Sequence, residues 1–200
     1  MEQGKVGRIV RHLDGLLAPL GFTRIARTWN RRRDRLIDSV DIQKHAVLDS
    51  ITMNAGVFDP DVHKIVWSEP LPAIAEVPSC TVNERVGMLI DGFDRWWSLE
   101  DQRTVDALSA ALTEHVLPYL DRMHTRSAML TTLDAYDMAK RKYPLPRIHA
   151  AVLKWLAGDS NGCRDDLRAL RKAARGDWTK KVDELERTLF EDGHSAGSYP

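Results

Sequence analysis

The sequence predicts an α+β protein: an antiparallel sheet of three to five strands with an N-terminal helix packed on it, followed by an all-α extension of helical hairpins. Three observations lead there. Residues 3–18 space their apolar side chains as one helical stripe. Residues 21–58 switch to short β-branched and aromatic segments with period-two alternation. From Glu100 onward the periodicity is helical throughout.

The first helix rests on Val6, Ile9, Val10, Leu13, Leu16 and Leu17, and Pro19 and Gly21 end it. Phe22, Thr23, Ile25, Thr28 and Trp29 then favour a single strand across Gly21–Arg33, with Arg31–Asp34 polar enough to turn. A second strand spans Leu36–His45 and a third Ser50–Phe58, where Ile51, Met53, Ala55 and Val57 alternate with Thr52, Asn54 and Gly56. Pro60, Pro70, Pro72 and Pro78 mark a long connection with a short helical turn near Asp61–Val66. Cys80–Leu89 reads as a fourth strand. It leads into Asp91–Trp97, where two adjacent Trp, at least one of them expected to be largely buried, mark a seam between layers. The helical part comprises a stripe from Val105 to Leu120 that Pro118 bends or ends, then Ser127–Arg141, Arg147–Leu156, Asn161–Ala174 and Trp178–Phe190. This organisation gives an α+β domain over 1–125 and a helical extension over 126–200, frayed from about 193.

The formal net charge is zero, which argues against a chain that traps nucleic acid or anionic membrane by bulk charge. The charge is uneven, since residues 1–45 hold ten Lys/Arg against five Asp/Glu. No apolar run approaches the roughly 20 residues a bilayer span needs, and MEQGKVGRIVRHL lacks a signal-peptide core. Two cysteines form no disulfide framework and suit a reducing cytoplasm.

Gly21-Phe22-Thr23-Arg24, Arg27-Thr28-Trp29-Asn30-Arg31, Gln43-Lys44, Asn54–Phe58, Cys80 with Arg85, and Asp94-Arg95-Trp96-Trp97 occur in an order that resembles the bacterial domain-of-unknown-function family numbered 4304, over roughly residues 5–120. The resemblance implies an α+β domain in a bacterial cytoplasmic protein and carries no activity with it.

Arg24, Arg27, Arg31, Arg32, Arg33 and Arg35 form a basic strand region. With Trp29 among them, Arg27 and Arg31 offer bidentate anion contacts beside a stacking surface, or else a solvated edge hairpin. Gln43, Asn54 and Arg27 are placed on one side of the meander, where they orient a ligand, or Asn54 simply secures a turn. Cys80 near Arg85 has the makings of a nucleophile, with His45, His63 or His115 as base, but a core cysteine fits better. Asp91 and Asp94 bind a cation or cap the next helix. The sequence shows no metal-binding motif, catalytic elbow or phosphate loop, so no catalytic residue, metal or cofactor is expected.

The reading is a non-enzymatic binding module with a protein partner, of an accessory or immunity type by analogy. Its candidate binding residues are Arg27, Arg31, Gln43, Asn54, Arg85 and Trp96. A nucleic-acid binder using the basic strand, and a small-molecule enzyme with a polar site on the sheet face, are the alternatives. No membrane partner is expected.

Overall fold

The computed structural model describes residues 4–135 and 143–191. The chain is α+β and divides into two units, residues 1–59 with 72–124, and residues 60–71 with 125–200. Asp61–Val66, expected as a turn in a connection, is part of a full helix, and that helix belongs to the second unit.

In the first unit, α1 (Lys5–Leu17) buries Ile9, Val10, Leu13 and Leu17, and Gly21 at φ 87° closes the turn after it. The sheet has six antiparallel strands: β1 (Thr23–Ile25), β2 (Thr28–Arg33), β3 (Leu36–Lys44), β4 (Ser50–Phe58), β5 (Val82–Arg85) and β6 (Trp97–Ser98). The first five are neighbours in sequence order, and β6 pairs with the start of β4. The count exceeds the expected range because Gly21–Arg33 is two strands. Ala26 at φ 53° and Arg27 form the turn between them. The β2–β3 turn is Asp34–Arg35, with Asp34 at φ 48°, so Arg31–Arg33 belong to the strand and not to a turn. Asp tolerates that conformation better than Arg does.

Cys80–Leu89 is likewise not one strand. β5 stops at Arg85, and Val86–Ile90 is a short helix, α3, whose Val86 and Gly87 are buried. After α3 come α4 (Thr104–Ala111) and α5 (Leu117–Arg122), with one turn of π-helix at Leu112–Val116 between them. Pro118 sits in the first turn of α5, just after the wide turn, so its missing N–H breaks nothing and the helix runs on.

Alternation gives the sheet two faces. One carries Trp29, Val40, Ile42, Ile51, Met53, Ala55 and Val57, all buried, and α1 covers it. The Trp29 indole N–H donates to Asp14 Oδ1 of α1 at 2.9 Å, which fixes the helix on the sheet. The same face holds Asp38, fully buried and paired with Arg31 Nη2 at 2.9 Å and Arg33 Nε at 2.8 Å. The opposite face is covered at one end only. There Ala75 and Cys80 pack on Phe58 and Ile37, and Asn30 clamps the Ala75 backbone by donating to its carbonyl at 2.9 Å and accepting its N–H at 2.7 Å.

The second unit contains α2 (Pro60–Trp67), α6 (Arg126–Asp134), α7 (Leu145–Leu156), α8 (Ser160–Ala173) and α9 (Asp177–Phe190). Thr125 and Asp159 cap α6 and α8 with their side-chain oxygens. Trp155, Ile148, Met129, Leu167, Val182 and Leu185 are buried among these helices. Asp166 of α8 is held by Arg147 at 2.8 Å and Lys154 at 2.7 Å, both from α7. The expected extension of α6 to Arg141 and the tail from 193 lie outside the described residues. Among the described residues, no helix is long and apolar enough to cross a membrane.

Candidate binding site on the open end of the sheet

The uncovered half of the second face is laid out in rows by the strand register. Asp41 faces Asn54, and Asn54 faces Arg85. Gln43 faces Thr52 in the next row. In the third row the His45 N–H donates to the Ser50 carbonyl at 2.9 Å, and Ser50 faces Ser98. Every one of these positions is polar, and two of them, Ser50 and Thr52, are nonetheless buried.

The side chains form one chain of hydrogen bonds. Asn54 donates from Nδ2 to Asp41 Oδ1 at 2.7 Å and to Gln43 Oε1 at 3.4 Å. Arg85 donates to Gln43 Oε1 at 3.2 Å and to Asp94 Oδ2 at 2.7 Å. The Trp96 indole N–H shares Asp94 Oδ2 at 3.3 Å. The Trp96 ring lies 5.2 Å from the Arg85 guanidinium and meets the His45 ring edge-on at 4.8 Å. His45 Nδ1 accepts the N–H groups of Val47 and Leu48, which ties the β3–β4 loop to the same cluster. Beside it Val47, Leu48 and Phe93 are exposed, Phe93 at 73%.

Two carboxyls here respond to opposite environments. Burial raises the Asp41 pKa above its ordinary value, and the charge of Glu76 adds to this, against the Asn54 hydrogen bond and the charge of Arg85. The Arg85 hydrogen bond holds Asp94 below its ordinary value. A carboxyl whose pKa is raised on folding costs stability once the unfolded chain would ionise it. The cost grows from about pH 4 upward through the folded pKa, then stays constant. Asp41→Asn is therefore expected to melt higher than wild type at neutral pH, with the difference vanishing in acid, as thermal unfolding across pH will show.

Gln43, Asn54, Arg85 and Trp96 thus come together. Arg27 and Arg31 do not join them. Arg27 is in the β1–β2 turn, where it lines a cavity of about 340 Å³ with Lys5, Lys44 and Asp49. It shares no strand face with Arg31 and Trp29, because the strand breaks at Ala26–Arg27. Arg31 is on the α1-covered face, bound to Asp38 and stacked 4.5 Å from the Phe22 ring. Arg24 pairs with Asp14 and Arg33 with Asp38 and Asp121, so much of the basic strand is engaged within the fold. Trp96 and Trp97 are both intermediate in burial and neither is fully enclosed, because β6 is a two-residue edge. Leu99 goes into the core in their place.

Cys80 is a buried thiol whose pKa burial raises, which suits packing and not attack. Burial pushes Cys163 up to about 12. Among the described residues, no three His, Cys, Asp or Glu side chains cluster as a metal site needs. Sequence reasoning missed Asp41, Ser50 and Thr52 as members of the cluster. Their signal is the polar alternation at 41 and 43 and at 50, 52 and 54, which they share with Gln43 and Asn54.

The family model of the domain of unknown function DUF4304 matches residues 13–122, a segment that contains the whole cluster. No curated protein and no solved structure matches the chain.

Proposed function

As the chain belongs to the DUF4304 family, we propose that its first unit is a non-enzymatic binding module that holds a protein partner against the open end of the sheet. One observation carries this reading. Trp96 stands between the Arg85 guanidinium and the His45 ring, with exposed Phe93 three residues before it and exposed Val47 and Leu48 on the loop whose backbone is bonded to His45. Trp and Arg dominate the energetic centres of protein interfaces, and apolar neighbours around them exclude water. The hydrogen-bonded side chains beneath are preorganised, so little ordering entropy is lost on association. We take the protein to be a bacterial cytoplasmic accessory protein; its two free thiols are compatible with a reducing compartment.

A photo-crosslinking amino acid placed at Phe93, in cells of the source organism, tests the reading. A discrete protein adduct is expected from that position and none from the same probe at Arg11, exposed on α1. No adduct at Phe93, or the same adduct from both positions, removes the proposal.

A further inference from the structure

We propose that the Trp96 indole is the cover of a polar recess that binds a hydroxyl-rich small molecule of the class of a sugar ring. The inference goes beyond the partner reading and is tested without a partner, so the two fail separately.

The recess is marked by two hydroxyls. Ser50 Oγ and Thr52 Oγ1 are buried and have no hydrogen-bond partner among the described residues; the two residues are 8% and 0% exposed. Buried hydroxyls normally find a partner, so two neighbouring exceptions call for an explanation. Ser50, Thr52 and Asn54 share one face of β4 by alternation. Trp96 precedes Trp97, the register partner of Ile51, and so lies on the side of Thr52. Its ring contacts Arg85, in the row of Asn54, and His45, in the row of Ser50. The indole therefore spans the row between them, which is that of Thr52.

The groups around the hydroxyls define the ligand. Gln43 and Asn54 bring amides, Asp41 a carboxylate and Arg85 a guanidinium, all presented from sheet strands. Hydroxyls and amides both donate and accept, as the hydroxyls of a sugar do. The indole supplies the flat apolar surface that the C–H face of a pyranose needs. An anion fits less well, because Arg85 is already matched by Asp94, and Asp41 and Glu76 repel negative charge. The cover is attached through the loop 91–96, which includes Gly92 at φ 79°; its one hydrogen bond is the long one to Asp94, and its other contacts are the Arg85 guanidinium and the His45 ring.

The test uses the full chain. Glucose, galactose, mannose and N-acetylglucosamine are titrated separately, with inorganic phosphate as the ionic control, while the Trp96 indole N–H resonance is followed by NMR. At least one sugar is expected to move it saturably. Binding should weaken at least about tenfold in Thr52→Val, which keeps the shape and removes the hydroxyl. Ser50→Ala is the second variant and should weaken binding in the same direction. Thr52→Val should be no less stable than wild type, since its hydroxyl has no partner to lose. The proposal is overturned if none of the sugars moves the resonance, if phosphate alone moves it, or if both variants bind as wild type does. It is equally overturned if Thr52→Val is clearly less stable, because the hydroxyl then has a structural partner.

Discussion

Asp38→Ala is expected to lower the stability of the first unit by about 3 kcal/mol, the low end of the cost of breaking a buried ion pair. Asp38 is fully buried on the α1-covered face and holds two guanidinium groups, those of Arg31 and Arg33. Removing it leaves two cations facing each other in a partly desolvated place. The low end applies because Arg31 and Arg33 retain 16% and 26% side-chain exposure and Arg33 keeps Asp121 at 2.7 Å. Asp38→Asn, which keeps the shape and one acceptor oxygen, should cost less than Asp38→Ala. Urea denaturation of the two variants checks the order and the size. Equal stability of wild type and Asp38→Ala would mean that the arginines reach water unaided.

Gly87→Ala is expected to disable the candidate site from beneath. A Cβ at Gly87 would fall on the Phe93 carbonyl oxygen and lie 2.5 Å from the Arg95 nitrogen. Both are backbone atoms, so no rotamer change relieves the overlap. Overpacking of this kind typically costs about 1–3 kcal/mol. The local consequence matters more, because the displaced segment carries Asp94 and leads into Trp96. The Arg85–Asp94 pair should open and the Trp96 ring leave its place between Arg85 and His45. Loss of the Trp96–His45 contact in the NMR spectrum, with the remaining sheet signals unchanged, is the expected result. The loop also holds itself through the Arg95–Asp91 ion pair, which does not reach the sheet and so cannot restore the site.

These two sites show what the sequence reveals and what it hides. The α+β class and the order of α1, β3 and β4 follow from apolar spacing, which depends only on neighbours along the chain. The Arg31–Asp38 pair was hidden by a turn placed three residues early. Once Asp34–Arg35 is the turn, Arg31 stands directly opposite Asp38, and the pairing of charges across the hairpin is readable. The cluster was harder to read. Gln43 and Asn54 lie on adjacent strands and were placed on one side from alternation alone. Arg85 joins them only because β5 pairs with β4 at Asn54, and that pairing is set by Gly56. A side chain there would collide with Cys80 and the Val82 carbonyl, so only glycine lets β5 and the preceding loop approach. Thr52 looks like a solvent-facing residue in its strand. It is nevertheless fully buried, on a face where the Trp96 ring arrives from far along the chain to meet Arg85 and His45, and no local pattern reports that.

The most direct test of the binding-module reading is the affinity of the crosslinked partner, once purified, for three forms of the full chain. Trp96→Ala and Arg85→Ala are each expected to weaken binding by at least about thirtyfold, the loss of a central interface residue. Arg11→Ala, on the exposed side of α1, should bind as wild type does. If Trp96→Ala and Arg85→Ala bind as tightly as wild type, the open end of the sheet is not the surface that holds the partner.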